Sequence, residues 1–199
     1  MTNSSVDGEL LDSPGADDFF AMVAELDVPV LLHPPAEPLG AQALKDFRLV
    51  EAVSRFNDVT VGLAALVWGG RMEQYPGLQI VAGMGGGAIS MVADRLDRML
   101  QPAHWGGGPP VVNKISQPAS TFLARVYTDT TCHNRTVLQG NLALMGHERL
   151  LFGSDSPPAS TPLQAALDVV HGLGLDDTQV AGVLGGNARK LFKLDRPLP

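Results

Sequence analysis

The sequence predicts an α/β fold with a parallel sheet or barrel, because short apolar runs alternate with segments of helical periodicity. The clearest apolar run, 150–152, ends in Gly153 and is followed by Asp155. A second run, 28–32, ends at His33 and two prolines. Runs of this length, closed by Gly or Pro, are typical of buried parallel strands.

The predicted elements follow in chain order. The first helix, 16–26, has apolar residues at helical spacing and two acids in its first turn, where the helix dipole favours negative charge. A second clear strand, 78–82, enters the glycine run that begins at Gly83. Altogether we expect strands at 28–32, 78–82, 125–129 and 149–153, and helices at 16–26, 42–55, 58–72, 88–100, 134–145, 161–172 and 177–192.

Composition limits the class of protein. The 199 residues are 45% hydrophobic and include 22 Gly and 15 Pro, which suits a single domain, 1–199, with many turns. The net charge of −7 argues against nucleic acid or anionic membranes as partners. Cys132 is the single cysteine, which excludes an internal disulfide. No apolar run reaches the roughly 20 residues of a membrane span, and the polar N-terminus lacks a signal-peptide core, so we expect a cytoplasmic protein.

Two polar side chains follow predicted strands. Both His33 and Asp155 stand where a parallel strand ends, and α/β folds place their chemistry at the carboxyl ends of such strands. His33 is a candidate metal ligand or catalytic base, but taken alone it is more often a satisfied polar group at the end of a strand. Asp155 is a candidate catalytic acid, but it is also consistent with a cap of the helix that begins near Ser160.

Two other motifs are weaker. Residues 83–88 match the G-x-G-x-x-A fingerprint of dinucleotide sites, but residues 101–110 are not the acid-ended strand that this site requires. Cys132 and His133 are sequence neighbours, which does not suit a nucleophile and its base. Residues 101–120, rich in Gly and Pro and containing Trp105, are expected to form a lid or an oligomer contact.

Five motifs in order resemble the amidohydrolase-2 branch of the metal-dependent amidohydrolases, which includes aminocarboxymuconate-semialdehyde decarboxylase and related decarboxylases and hydrolases. They are His33-Pro34 after a strand, 75–81, the triple glycine 85–87, 153–157 and 187–192. The resemblance covers roughly residues 3–193. It implies a distorted (β/α)₈ TIM-type barrel with one divalent metal, usually zinc, at its carboxyl-terminal face.

The resemblance also implies roles for individual residues. His33 corresponds to a metal-ligand histidine, and Asp155 to an aspartate that binds the metal and handles a proton of its water, so both are candidate catalytic and metal residues. Arg95 corresponds to an arginine that grips the substrate carboxylate and, in the decarboxylases, reaches into the neighbouring subunit. The implied function is a hydrolase or a carbon–carbon lyase (a decarboxylase) that acts on a small carboxylated or cyclic molecule.

Two features depart from the family pattern. Met84 stands where the family has a histidine, and the chain lacks the His-x-His pair of the family's first strand. Aligned on the family, Met1 lies near strand four, so we expect the C-terminal half of the barrel, with four to five strand–helix units, the N-terminal strands missing and an incomplete metal site. A non-catalytic remnant or interaction subunit, and one half of a split enzyme, are therefore alternatives.

Half a barrel has two unpaired edges. We expect these edges to be the apolar strands 28–32 and 149–153. Exposed apolar edges recruit other strands. The sequence therefore predicts a homo-oligomer or a complementing N-terminal chain as partner, in addition to a small-molecule substrate.

Overall fold

The computed structural model describes residues 1–100, 113–156 and 161–194. The strands are β1 (Thr2–Asn3), β2 (Ser5–Val6), β3 (Glu9–Leu10), β4 (Val30–His33), β5 (Ile80–Ala82), β6 (Tyr127–Asp129) and β7 (Leu150–Leu151). They form a five-stranded parallel sheet in the order β1-β4-β5-β6-β7 and a small antiparallel pair, β2 and β3. Helices connect successive strands of the larger sheet, as the sequence predicts.

Nine α-helices lie in the described ranges. They are α1 (Asp17–Leu26), α2 (Arg55–Trp68), α3 (Arg71–Gln74), α4 (Ile89–Arg98), α5 (Ala119–Leu123), α6 (Arg135–Met145), α7 (Leu163–His171), α8 (Asp177–Ala181) and α9 (Asn187–Leu191). Short 3₁₀ turns and two π-helical segments, Val50–Ser54 and Gly182–Gly186, complete the helical structure. Among the residues that the structure describes, no helix combines the length and apolar character needed to cross a membrane.

The register of the sheet determines which side chains share a face. Asn3 pairs with His33, Val81 with Tyr127, and Asp129 with Leu151. Side chains at paired positions point to the same face, and successive residues alternate between faces. The inner face, as we call it, carries Asn3, Leu31, His33, Val81, Tyr127, Asp129 and Leu151; the outer face carries Val30, Leu32, Ile80, Ala82, Thr128 and Leu150.

The main core lies between the outer face and the helices. Val30, Leu32 and Ile80 from the sheet are buried together with Val59, Leu63 and Leu66 of α2 and with residues of α1, α4 and α5. A second cluster packs β7 against α6, α7 and α8. On the inner face, Leu191 of α9 packs with Val81 and Leu151. Burial of these apolar side chains supplies the main driving force for folding.

The helices predicted at 42–55 and 177–192 differ from the structure. The helix predicted at 42–55 is wrong: Ala41–Ala43 is one 3₁₀ turn, and a helix resumes only at Val50. Phe47 and Arg48 have left-handed backbone angles, which interrupt a right-handed helix. The helix predicted at 177–192 is divided by Gly182–Gly186, since glycine is a poor helix former.

The predicted sheet edge at 28–32 is also wrong. Polar β1 pairs in parallel with β4, so β1 and β7 are the edge strands of the described sheet. The sequence of β1 gave no apolar signal, because this strand is short and formed by its tertiary pairing. Of the loop predicted at 101–120, residues 101–112 and Trp105 lie outside the described residues, whereas its end forms α5.

Candidate active site

The carboxyl ends of the parallel strands meet at one edge of the sheet. At this edge the inner face carries Asn3, His33, Gly83 and Asp129 on four neighbouring strands, a set that we call the edge row. Neighbouring strands lie about 4.8 Å apart, and the strand that leads to Gly83 lies between those of His33 and Asp129. The backbones of His33 and Asp129 are therefore about 10 Å apart. A Cβ at Gly83 would lie 2.9 Å from the Leu32 carbonyl oxygen and 3.7 Å from Asp129 Oδ2. Glycine at this position therefore allows the close approach of the Leu32 carbonyl and places no side chain beside Asp129 Oδ2.

Asp129 is the side chain of the edge row whose pKa is raised. Its Oδ1 accepts hydrogen bonds from the Gly85 backbone N–H (2.8 Å) and from the backbone N–H (3.2 Å) and hydroxyl (2.8 Å) of Thr131. Burial raises the pKa of the Asp129 carboxyl; these hydrogen bonds oppose the rise, and the charge of Asp155 adds to it. The protonated form of Asp129 is therefore more favoured than that of an exposed aspartate.

The structure brings Asp155 close to Asp129 but does not assemble a complete ligand set. The charge of Asp155 acts on the Asp129 carboxyl, whereas His33 is exposed at the end of β4, three strands from β7. In the described ranges, no three His, Cys, Asp or Glu side chains lie close enough together to hold a metal ion. Arg95 is an exposed residue of α4, whose buried residues pack into the outer-face core.

Three of the eight non-glycine residues with positive φ in the described ranges lie in loops at the same edge. Met84, His133 and Asp155 have positive φ angles of 55°, 44° and 56°, and each lies in the loop after β5, β6 or β7. A non-glycine residue in this region costs on the order of 1–3 kcal/mol and is found preferentially at functional sites. Three such residues in three successive loops support the carboxyl edge as the functional end of the sheet.

The glycine turn after β5 is held by hydrogen bonds within the protein. The N–H groups of Gly86 and Gly87 donate to the carbonyls of Gly83 and Met84, and the Ala88 N–H donates to the Thr60 hydroxyl. With the Gly85 N–H directed to Asp129, these four N–H groups all have partners. The turn therefore does not offer the free N–H groups that a dinucleotide site uses for pyrophosphate.

Cys132 packs beside this turn, in surroundings that disfavour its thiolate form. A Cβ at Gly85 would lie 2.6 Å from Cys132 Sγ. Burial raises the pKa of the Cys132 thiol, and the nearby charge of Asp129 adds to the rise, against opposing backbone hydrogen bonds. The thiolate is the reactive form of cysteine, so this environment disfavours nucleophilic chemistry.

A buried carboxylate supports the chain on both sides of His33. Asp58 of α2 is fully buried and accepts hydrogen bonds from the hydroxyls of Ser4 and Ser5 and, at 2.7 Å, from the Leu39 N–H. The Ser4 N–H donates in turn to the His33 carbonyl at 2.9 Å. The 35–42 loop that Asp58 anchors also walls a groove of about 520 Å³, which Asn3 of the edge row lines.

Sequence reasoning missed Asp129 and Asp58 as site residues. Asp129 ends a predicted strand just as His33 does, so its position carried the signal that could have found it. Asp58 lies within a helix and carried no such signal, because its partners come from segments 19 and 53–54 residues away.

Comparison with known proteins gives a consistent result. A model of the amidohydrolase family matches residues 2–194. The chain is 23% identical over 194 residues to a 2-amino-3-carboxymuconate-6-semialdehyde decarboxylase of Dictyostelium discoideum, covering 96% of this chain and 52% of that one. It is 28% identical over 190 residues to a gamma-resorcylate decarboxylase of Rhodococcus jostii (strain RHA1), covering 93% and 56%. The chain thus spans about half the length of these relatives.

A solved structure shares the fold. It is the crystal structure of a dihydroxybenzoic acid decarboxylase from Polaromonas sp. JS666 with bound manganese and the inhibitor 2-nitroresorcinol. The TM-score is 0.76 at 24% identity, and the match covers 95% of this chain and 57% of that one. The likeness shows a common α/β architecture with a parallel sheet.

Proposed function

Since this chain belongs to the amidohydrolase family, we propose that it supplies catalytic side chains for removing the carboxyl group from a small aromatic or cyclic acid. The observation that carries this proposal is the edge row with its neighbour Asp155: His33, Asp129 and Asp155 all lie at the carboxyl edge of the sheet, and Gly83 lies between His33 and Asp129. The relatives from Dictyostelium discoideum and Rhodococcus jostii, both decarboxylases by name, favour this reaction over hydrolysis.

The chemistry requires a proton at the right place. When the bond between a ring carbon and its carboxylate breaks, CO₂ leaves and the electron pair remains on the carbon, which must then take up a proton. Asp129 is suited to hold that proton, because its Oδ2 lies towards Gly83 while Oδ1 accepts the hydrogen bonds described above. His33 and Asp155 are the further groups able to exchange protons there. Arg95 is proposed to bind the substrate carboxylate, as the resemblance implies.

A metal is part of the expectation for this family. His33 and Asp155 are the proposed ligands, and they supply two donors, where a zinc site uses three or four protein ligands. The described residues contain no group of three, so they do not by themselves fit a complete metal site. The roles proposed above are therefore those of the side chains alone. The Polaromonas structure contains manganese, and zinc remains the prediction made from the resemblance.

A second candidate is a non-catalytic interaction subunit. Met84 favours it, because a thioether cannot transfer a proton and is a poor ligand for hard cations. The structure adds that Met84 packs against the main core. If a histidine is needed at this position, Met84→His should raise turnover about a hundredfold. Equal, substantial rates for the two proteins would mean that the proton is handled elsewhere.

The test is release of CO₂ by the full chain. We would offer hydroxylated benzoates, with their methyl esters as matched controls, with and without added Mn²⁺ or Zn²⁺. We expect CO₂ from at least one acid and none from its ester. Absence of CO₂ release from every acid under all these conditions would contradict the catalytic proposal and favour the interaction subunit.

A further inference from the structure

A second cavity lies at the opposite, amino edge of the sheet. It has a volume of about 200 Å³ and is lined by Pro76, Gly77, Leu78, Gln79, Arg125, Tyr127 and Arg149. These residues precede or begin β5, β6 and β7, so the cavity is separated from the edge row by the length of the strands. We call it the amino-edge cavity.

Arg125 is held in the wall of this cavity by backbone carbonyls. Its Nη1 donates to the Met72 carbonyl at 3.2 Å, and its Nη2 donates to the Pro76 carbonyl at 2.5 Å. These two bonds join the start of β6 to the segment that leads into β5. The guanidinium is therefore fixed in place without a carboxylate.

Arg149 is fixed beside it. Its Nη1 donates to the Arg125 carbonyl at 2.9 Å, and its guanidinium lies over the Tyr127 ring, with Cζ 4.9 Å from the ring centroid. Stacking on an aromatic face and bonding to a carbonyl orient the planar group and leave other N–H groups of its fork available.

The charge of the two arginines is not balanced locally. Both are partly buried, and neither forms an ion pair with a carboxylate in the described part of the chain. Other covered cations of this protein do have such partners: Arg71 pairs with Asp17, and Lys193 with Asp27. Two neighbouring cations in a partly desolvated cavity favour an anion, since charge-assisted hydrogen bonds strengthen when water is excluded.

We propose that the amino-edge cavity binds a small oxyanion, through a phosphate or carboxylate group held by Arg149 and Arg125. The cavity is far larger than the ~10–15 Å³ needed for a single water, so a small oxyanion fits with its bridging waters. Gln79 and Tyr127 line the cavity and offer further polar groups to the ligand. This site is separate from the proposed active site and does not depend on its chemistry.

The test is calorimetric titration of the full chain, at low ionic strength, with inorganic phosphate and separately with malonate. We expect saturable 1:1 binding of at least one anion, and the stronger of the two identifies the ligand group. Arg149→Gln should weaken binding about tenfold or more. Arg98→Gln, which removes an exposed arginine of α4, should bind as the unmodified protein does.

A second variant, which keeps the charge, preserves the test if Arg149→Gln does not fold. Arg149→Lys retains the cation but loses the planar fork, so its binding should also be weaker than that of the unmodified protein. Circular dichroism would verify that each variant is folded. Two results would overturn the proposal. One is the absence of saturable binding of both anions. The other is that Arg149→Lys, or folded Arg149→Gln, binds the anion as tightly as the unmodified protein does.

Discussion

Asp129 should give the protein a characteristic pH dependence of stability. Its folded-state pKa is raised above the ordinary value of 3.8, so the unfolded chain releases this proton first as pH increases. The contribution of Asp129 to the free energy of unfolding should therefore fall from about pH 4 upwards, until the folded-state pKa is passed. Asp129→Asn removes the ionisation, so we expect the variant to gain stability relative to the unmodified protein as pH rises from 4 to 7.

Urea unfolding at several pH values measures this difference. Asp94→Asn is the matched control, because Asp94 is an exposed residue of α4, and its difference from the unmodified protein should not follow the same trend. A stability difference for Asp129→Asn that stays constant with pH, or that falls, would contradict the assigned direction of the pKa.

Asp58 is a second residue with a specific consequence. Asp58→Ala leaves the hydroxyls of Ser4 and Ser5 and the Leu39 N–H without their buried acceptor. Unsatisfied buried groups cost about 1–3 kcal/mol each, and water can relieve part of this, so we expect a loss of about 2–4 kcal/mol in the free energy of unfolding. Asp94→Ala is the control, and a loss for Asp58→Ala below about 1 kcal/mol would show that the network contributes little.

At the scale of elements, strands with an apolar signal could be predicted and the others could not. The run at 28–32 overlaps β4 and the run at 78–82 contains β5, because Val30, Leu32 and the whole of β5 are buried, which requires apolar residues. Polar β1 depends on pairing with β4, a contact 30 residues away along the chain, so local sequence does not reveal it. Phe47 and Arg48 have a left-handed backbone that interrupts the predicted helix at 42–55. Neither residue is a glycine, so the sequence did not indicate the interruption.

The glycine turn after β5 offers a sharp test at this scale. Gly87 has φ of 63°, and a Cβ there would lie 2.3 Å from the Phe56 carbonyl oxygen, so Gly87→Ala should destabilise the protein by about 2 kcal/mol or more. Gly77→Ala is the control, because a Cβ at Gly77 meets no atom within 4 Å. Thermal unfolding compares the two, and equal midpoints would contradict the close packing of α2 against this turn.

At the scale of the molecule, the alternation of strands and helices predicts the parallel α/β fold, which the structure and the Polaromonas decarboxylase confirm. Sequence order also predicts that His33 and Asp155 lie at one edge, since both follow parallel strands. It does not predict which side chains meet there. The closeness of Asp129 to Asp155 depends on sheet register and on a left-handed loop, neither of which is encoded in local spacing. The roles of His33, Asp155 and Arg95 stay predictions.

The open edge at β1 predicts self-association or a partner chain. The helix α1 also exposes Met22 (52%) and Leu26 (61%), apolar side chains that a neighbour would cover. Light scattering should show a species larger than one 21.0 kDa chain, and Met22→Lys with Leu26→Lys should reduce it. Met91→Lys, on the exposed side of α4, is the control. A monomer at all working concentrations of the isolated chain would contradict this prediction.

If the carboxyl edge of the sheet performs the chemistry, the rate of CO₂ release should depend on the side chains at this edge. With the best acid substrate, we would compare His33→Ala and Asp155→Asn with the matched surface variants His171→Ala and Asp168→Asn of α7. Loss of a group that transfers protons or holds the reacting centre should lower the rate about a hundredfold or more, while the surface variants retain it. Undiminished rates in His33→Ala and Asp155→Asn would contradict the account.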